Sequence, residues 1–355
     1  MIRLSWRQFR AQAVLAAGLL VVVAVLLVST RPHLAHLYDV YERAQAACRT
    51  NPDCRQVTVK IGQLDKLLEL LGTVLVGVPA LVGAFWGAPL IAREFENGTH
   101  RLVWTQSVTR SRWLAAKLVV LGSASVMVTG VLSLLVTWWS SPIDRSRMDR
   151  FGSGMFGERN IVPLGYAAFG FALGVTAGML IRRTLPAMAA TLAAFLAVRL
   201  AFTYQVRANL LAPVHEAVPL DARSMGFGST NSGPATLMPN PPDLPNAWVY
   251  STRIVDASGH GLPARVVAAQ CPKLGQNLGG PPPGSGHVVR AEAPREAQDA
   301  LRACVAKLSA TYHEAVTYQP ANRYWTMQVY EGAIFLVAAV GLVGLCFWWV
   351  RHRAS

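Results

Sequence analysis

Long apolar runs separated by short polar stretches set the character of this chain. A helix needs about 20 mostly apolar residues to cross the hydrocarbon core of a bilayer. Six segments meet that length: residues 12–30, 67–92, 113–139, 162–181, 185–203 and 332–350. The pattern predicts an all-α polytopic membrane protein with six transmembrane helices. The first run is longer than the apolar core of a signal peptide, and no small-x-small cleavage site precedes Arg31 and Pro32. It is expected to remain as a mature helix.

Between the fifth and sixth runs the pattern changes. Residues 205–331 are mostly polar, and GSTNSGPATLMPNPPDLPN reads as irregular chain. Trp248 to Asp256 reads as a strand, with Ala-Ser-Gly-His-Gly as the turn after it. GGPPPGSG is another break. Ala293 to Tyr318 reads as an amphipathic helix, with Ala300, Leu301, Cys304, Leu308 and Tyr312 on its apolar face. The expected organisation is a helix-forming N-terminus at 1–11, five spans over 12–204, a small α+β extracellular domain at 205–331, and a sixth span with a short tail at 332–355.

Composition agrees with lipid as the main solvent. The chain is 52% hydrophobic and 15% charged, against roughly a quarter charged in soluble domains, and its mean hydropathy is +0.32. The net charge of +14 is spread over short loops. No basic, aromatic-interleaved tract marks a nucleic-acid site, and cations beside apolar runs anchor helix ends to anionic lipid. An even number of spans puts both termini on one side. Arg3, Arg7, Arg10, Arg182, Arg183, Arg351 and Arg353 then share that side with the loop after the second span, which the positive-inside rule makes cytoplasmic. The bias is modest, because Arg43, Arg49, Arg55, Arg145, Arg147, Arg150 and Arg159 fall on the other side.

Cysteines point the same way. Cys48, Cys54, Cys271 and Cys304 all fall on the expected outside, where disulfides persist. Cys48 with Cys54 and Cys271 with Cys304 are the expected pairs, although spacing alone does not fix connectivity. No metal site is expected: C-x5-C is not a zinc spacing, and His33 and His36 lack further ligands.

Small residues mark helix packing. The second span holds Pro79, Pro89, Gly83 and Gly87, and the fourth holds Gly170, Gly174 and Gly178 at every fourth position. Such spacing lets helices approach closely. Packing within one subunit is favoured over a dimer seam. Few charges lie inside the spans. An arginine at mid-membrane costs about 3 kcal/mol, so Arg199, near the outer end of the fifth span, is expected to snorkel to the interface. A role in a substrate path is the lesser reading. Glu69 and Glu331, at the outer ends of spans two and six, line an external gate or mark the interface. Catalytic chemistry is scarce: there is no G-x-x-x-x-G-K-[ST], no H-E-x-x-H and no G-x-S-x-G.

The most informative stretch is Arg93-Glu-Phe-Glu-Asn-Gly-Thr-His-Arg-Leu, a dense polar cluster directly after a span. Gly98 can end a helical turn and Thr99 can cap the next one. Taken alone, it is a solvated connector. The full run from Arg93 to Lys117, REFENGTHRLVWTQSVTRSRWLAAK, resembles the first cytoplasmic loop of the membrane subunits of type-2 ATP-binding-cassette (ABC) exporters. In that family this loop holds the coupling helix that docks on the ATPase subunit. The resemblance implies a coupling loop at 93–112. Glu94 and Glu96 would face a basic partner surface, and Arg101, Arg110 and Arg112 would meet acidic groups or phospholipid. Residues 1–11, with Ile2, Trp6 and Phe9 on one face and Arg3, Arg7 and Arg10 on another, resemble the family's interfacial elbow helix. On pattern alone they are equally a basic flank of the first span.

The resemblance further implies two permease subunits, as a homodimer, with two ATPase copies that bind the ATP and Mg. This chain would carry no cofactor, hydrolyse nothing and bind no nucleic acid. The expected domain at 205–331 is much larger than the short re-entrant element common in the family, so the gate and substrate path do not carry over. With 28 Arg against five Lys and abundant Ala, the chain resembles an actinobacterial-like protein of the plasma membrane. A membrane sensor or assembly factor with an extracellular ligand-binding domain is the alternative.

Overall fold

A computed structural model describes residues 2–47, 77–98, 109–147, 150–151, 156–222, 225–228, 236–240, 244–272 and 295–352. The chain divides into a helical unit, Met1–Leu211 with Arg323–Ser355, and a second unit, Ala212–Asn322. The boundaries lie inside the expected 205–331, because helical turns continue to Asn209 and the last long helix already starts at Tyr324.

In the helical unit, α1 spans Ile2–Ala47. Helix α2 is described over 77–82. A π-helical turn, Gly83–Gly87, leads into α3, Ala88–Glu96. Next come α4 (Arg110–Arg147), α5 (Val162–Ile181), α6 (Thr184–Ala201), and, after the second unit, α9 (Tyr324–His352). Five of these helices are long and apolar enough to cross a membrane: Ala17–Val40, Arg110–Ser141, Val162–Ile181, Thr184–Asn209 and Ala321–His352. The expected second span, 67–92, lies partly outside the described residues, and its described part is helical. Residues 2–11 run on without a break into the rest of α1. With no glycine or proline before Gly18, nothing stops the helix between its basic start and the apolar run.

Helix α5 is the central post. It packs against α3, α4, α6 and α9, and 72% of its apolar window is buried, against 11–33% for the other spans. The glycines explain how. A Cβ on Gly170 would come within 2.6 Å of the Pro79 carbonyl, and one on Gly87 within 2.6 Å of the Phe171 carbonyl. Gly174 and Gly178 likewise face the backbone of Gly83 and Ala88. On the opposite side, a Cβ on Gly165 would meet the Gly332 carbonyl at 2.6 Å. These residues pack helices within one subunit. The π turn belongs to the same seam: Pro89 has no N–H to give, and the ladder re-registers just before it, with Ala88 N–H bonded to Gly83 O, five residues back.

Leu90, Ile91, Trp113, Leu114, Phe171, Met179, Cys346 and Val350 form the core toward the Glu96 end. Elsewhere α1 lies on α4 through Leu27, Leu34, Tyr38, Val136 and Trp139, and the Trp139 indole donates to Thr30 Oγ1 at 3.0 Å. Leu19, Val25, Val119, Leu134, Val337 and Val340 are exposed. Apolar surface on that scale needs lipid as its solvent.

The second unit is α+β. Strand β5 (Tyr312–Gln319) lies between β1 (Val214–Val218) and β4 (Trp248–Asp256), antiparallel to both. Strands β2 (Met225–Gly228) and β3 (Thr236–Pro239) pair separately. Helices α7 (Ala264–Gln270) and α8 (Arg295–Leu308) supply Val267, Leu301, Val305 and Leu308 to a core with Leu220, Met225, Leu237 and Ile254. The Cys271–Cys304 disulfide is present, with Cα atoms 5.3 Å apart. Two expectations are corrected. Within its described residues the Gly/Pro-rich stretch holds the end of β2 and the short strand β3, whose few residues leave no readable period. The expected helix to Tyr318 ends at Leu308 and is followed by β5, because Tyr312, Val316, Thr317 and Tyr318 favour extended chain and the segment fills the central place in the sheet.

Replacing Gly170 by Val should destabilise the helical unit by about 3 kcal/mol, because the branched side chain would meet backbone. Gly344→Val, at a position with open space, is the control. Thermal unfolding of the two purified variants in mild detergent should separate them clearly.

Candidate functional site

Two polar constellations stand at the two ends of α5. The first is built on the last turn of α3. Ala88, Leu90, Ile91 and Ala92 are buried, which fixes the helix and presents Arg93 to Glu96 at its end. The Asn97 N–H bonds Arg93 O at 3.0 Å, and Gly98 comes next at φ +69°, so a glycine closes the helix as the sequence predicts. Glu94 forms an ion pair with Lys117 Nζ on α4. Lys117 also stands over the Trp113 ring at 4.7 Å. The Arg182 guanidinium, at the end of α5, lies 5.4 Å from the Phe95 ring centroid.

Glu96 Oε2 accepts the Thr184 hydroxyl at 2.6 Å and the Thr184 N–H at 3.2 Å, at the start of α6. These two donors hold the Glu96 carboxyl below the ordinary carboxylate range, with Arg183 and Arg93 adding to the effect. Both carboxylates expected to face a partner are therefore engaged within the chain. At the start of α4, Arg110 is exposed and Arg112 is exposed too. Thr99 and Arg101 lie outside the described residues, as do Glu69, Cys48 and Cys54.

The second constellation is buried at the other end. Arg207 Nε and Nη2 donate to the two oxygens of Glu331 at 2.8 and 2.7 Å. The Tyr166 hydroxyl donates to Glu331 and accepts from Arg207 Nη2 at 3.2 Å. Arg199 lies over the Tyr166 ring at 4.1 Å. It is 6% exposed and its Nη1 has no hydrogen-bond partner among the described residues. The expectation that Arg199 snorkels is corrected: a guanidinium-sized place exists inside the bundle because Gly157, with no side chain, leaves room for both Arg199 and Arg207. Glu331 is also buried, 0% exposed.

The second π turn, Phe202–Val206, aligns the two arginines. In a regular α-helix, residues 199 and 207 would point about 80° apart. The extra residue in the turn swings Arg207 back toward the side of Arg199.

The segment before α5 is locked into this cluster. Gln328 donates to Phe156 O at 2.8 Å and accepts from Val162 N–H at 3.2 Å. Arg159 donates to Ser140 at 2.9 Å. Phe151 and Phe156 stack with centroids 5.7 Å apart, and Tyr324 meets both edge-on. Glu158 is buried, its Oε2 has no hydrogen-bond partner among the described residues, and it borders a cavity of about 10 Å³ with Thr129, Ser133 and Tyr166, room for about one water. Burial pushes the Glu158 carboxyl up to about 7, against the pull of Arg199 and Arg159. Sequence reasoning counted Arg159 among the loop cations on the side opposite the termini and passed over Glu158, Arg207 and Tyr166. The signal available was that Glu158, Arg159, Arg199, Arg207 and Glu331 all flank predicted span ends on one side.

In the second unit Glu314 stands on the central strand opposite Ile254, 1% exposed, with neither oxygen hydrogen-bonded among the described residues. Burial and the neighbouring Asp221 raise its carboxyl above the ordinary range.

A family model described as ABC-2 membrane transporter related matches residues 17–207, more than half of the 355 residues. The chain belongs to this family. No curated protein and no solved structure matches it. As an ABC-2 related protein it is a multi-pass membrane protein, a permease component of an ABC transporter rather than its catalytic part, and it works with an ATPase partner subunit. The match takes in both ends of α5 and the loop between α3 and α4.

The buried cluster carries two predictions. Glu331→Ala leaves Arg207 buried without its carboxylate and should cost about 3–5 kcal/mol, read as a lower unfolding midpoint. For Glu158, a folded pKa near 7 lies above the ordinary 4.5. The folded state then binds more protons than the unfolded one between those values, and stability falls as pH rises through that window and is level above it. The fall should be on the order of 3 kcal/mol. Glu158→Gln should flatten the pH 4.5–7 slope of the unfolding midpoint relative to the unsubstituted protein.

Proposed function

We propose that this chain is the permease subunit of an ABC exporter, forming the translocation pathway and coupling to separate ATPase subunits through the loop between α3 and α4. The family match across residues 17–207, which includes that loop, carries the reading. The exposed Arg110 and Arg112 at the loop's return support it, since an exposed arginine pair suits an acidic partner surface. The loop and both termini are cytoplasmic in this reading, in an actinobacterial-like plasma membrane, and the second unit is extracellular. The disulfide in that unit fits an oxidising compartment. Two copies of the chain form the pathway with two ATPase copies, and those partners bind the ATP and Mg.

A second reading, a membrane sensor or assembly factor, draws on the second unit. That unit has its own core, a disulfide and a buried, unpaired Glu314. Such a carboxyl can report external pH or a ligand.

Gentle purification of the tagged chain from native membranes separates the two. The transport reading expects a stoichiometric companion carrying a phosphate-binding loop, and expects Arg110→Glu with Arg112→Glu to reduce its recovery several-fold. A chain that repeatedly purifies alone in mild detergent contradicts it and favours the sensor.

A further inference from the structure

The last turn of α3 holds three neighbouring helices through three consecutive side chains. Glu94 grips α4 at Lys117, Phe95 meets Arg182 at the end of α5, and Glu96 binds Thr184 at the start of α6. A helix turns about 100° per residue, so successive side chains sweep around the axis and reach different neighbours. The turn itself is seated: Leu90 and Ile91 are buried, and Phe95 packs on the same core as Trp113 and Leu114. Just beyond it, Gly98 at φ +69° ends the helix. The described chain leaves the bundle at this turn.

The Glu96 contact differs from the other two. It joins a carboxylate to the first N–H and the hydroxyl of α6, the one place where a helix offers free donors and a favourable dipole to an anion. The seam to α5 is backbone against backbone and offers little sliding, whereas a two-bond cap on α6 can draw that helix along or release it.

We propose that Glu96 and Thr184 are positioning residues that transmit movement of the last turn of α3 to α6. The inference rests on the coupling reading above and assigns the carboxylate an inward role, in place of the partner-docking role the sequence implies. Glu94 and Lys117 tie the same turn to α4 and set its orientation.

The test uses the full chain with its co-purified ATPase in lipid nanodiscs. A spin label is placed at Leu196→Cys, an exposed position on α6, in a background lacking Cys48, Cys54 and Cys346. ATP with Mg should shift the label's mobility in the otherwise unsubstituted chain. Glu96→Ala and Thr184→Ala should each lose most of that shift while keeping ATPase stoichiometry and the unfolding midpoint. Thr184→Ser, which keeps both donors, should retain it. The double variant should lose no more than either single one, as expected for two ends of one contact. A full shift in Glu96→Ala overturns the proposal. Loss of the ATPase from Glu96→Ala also overturns it, by returning the carboxylate to a docking role. If the unsubstituted chain recovers no ATPase, the coupling reading itself fails, and the transmission role with it.

Discussion

The backbone-to-backbone contact between the 77–96 helix and α5 is the constraint on which the rest of the bundle depends. Lipid offers no hydrophobic drive to hold two apolar helices together, so packing must come from close approach. Gly83, Gly87, Gly170, Gly174 and Gly178 provide it by placing no side chain where the two backbones meet. The cost is a loss of helix propensity at each glycine, and Pro89 adds a missing donor. The π turn at Gly83–Gly87 absorbs that missing donor without breaking the helix. Once the seam is set, α5 is buried on several sides and the remaining helices pack around it.

The seam also fixes the groups that stand at its two ends. At one end it delivers Glu94, Phe95 and Glu96 to the ends of α4, α5 and α6. At the other it leaves Tyr166 beneath Arg199 and beside the Arg207–Glu331 pair. The two ends differ in physical kind. The Glu96 contact is exposed, made of one charge and two neutral donors, and free to exchange with water. The Arg207–Glu331–Tyr166 group is buried, and breaking it strands a charge in a low-dielectric interior. A bundle whose helices must move is better served by exchangeable contacts where the loop joins it and by a fixed clasp at the far end.

Five of the six expected spans were legible in the sequence because membrane helices are long and apolar and the bilayer dictates their length. Val162–Ile181 coincides with the expected fourth span, and the glycine spacing in it announced the seam. The strand at Trp248–Asp256 was legible too, from its β-branched and aromatic residues. The features that stayed hidden depend on three-dimensional partners. Arg199 reads as an interfacial arginine until Gly157 and Tyr166 are seen around it. Glu96 reads as a free carboxylate until Thr184, 88 positions later, is found beneath it. Strand β5 reads as the end of a helix because its reason for being extended is the pair of strands on either side.

The most direct test is a scan of site-specific photo-crosslinkers through the 93–112 loop in native membranes, with Glu94, Glu96, Arg110 and Arg112 each replaced in turn. The account predicts crosslinks to an ATPase subunit from positions 110 and 112, and crosslinks within the chain, to α4 and α6, from positions 94 and 96. Strong ATPase crosslinks from 94 and 96, or none from any position in the loop, would contradict it.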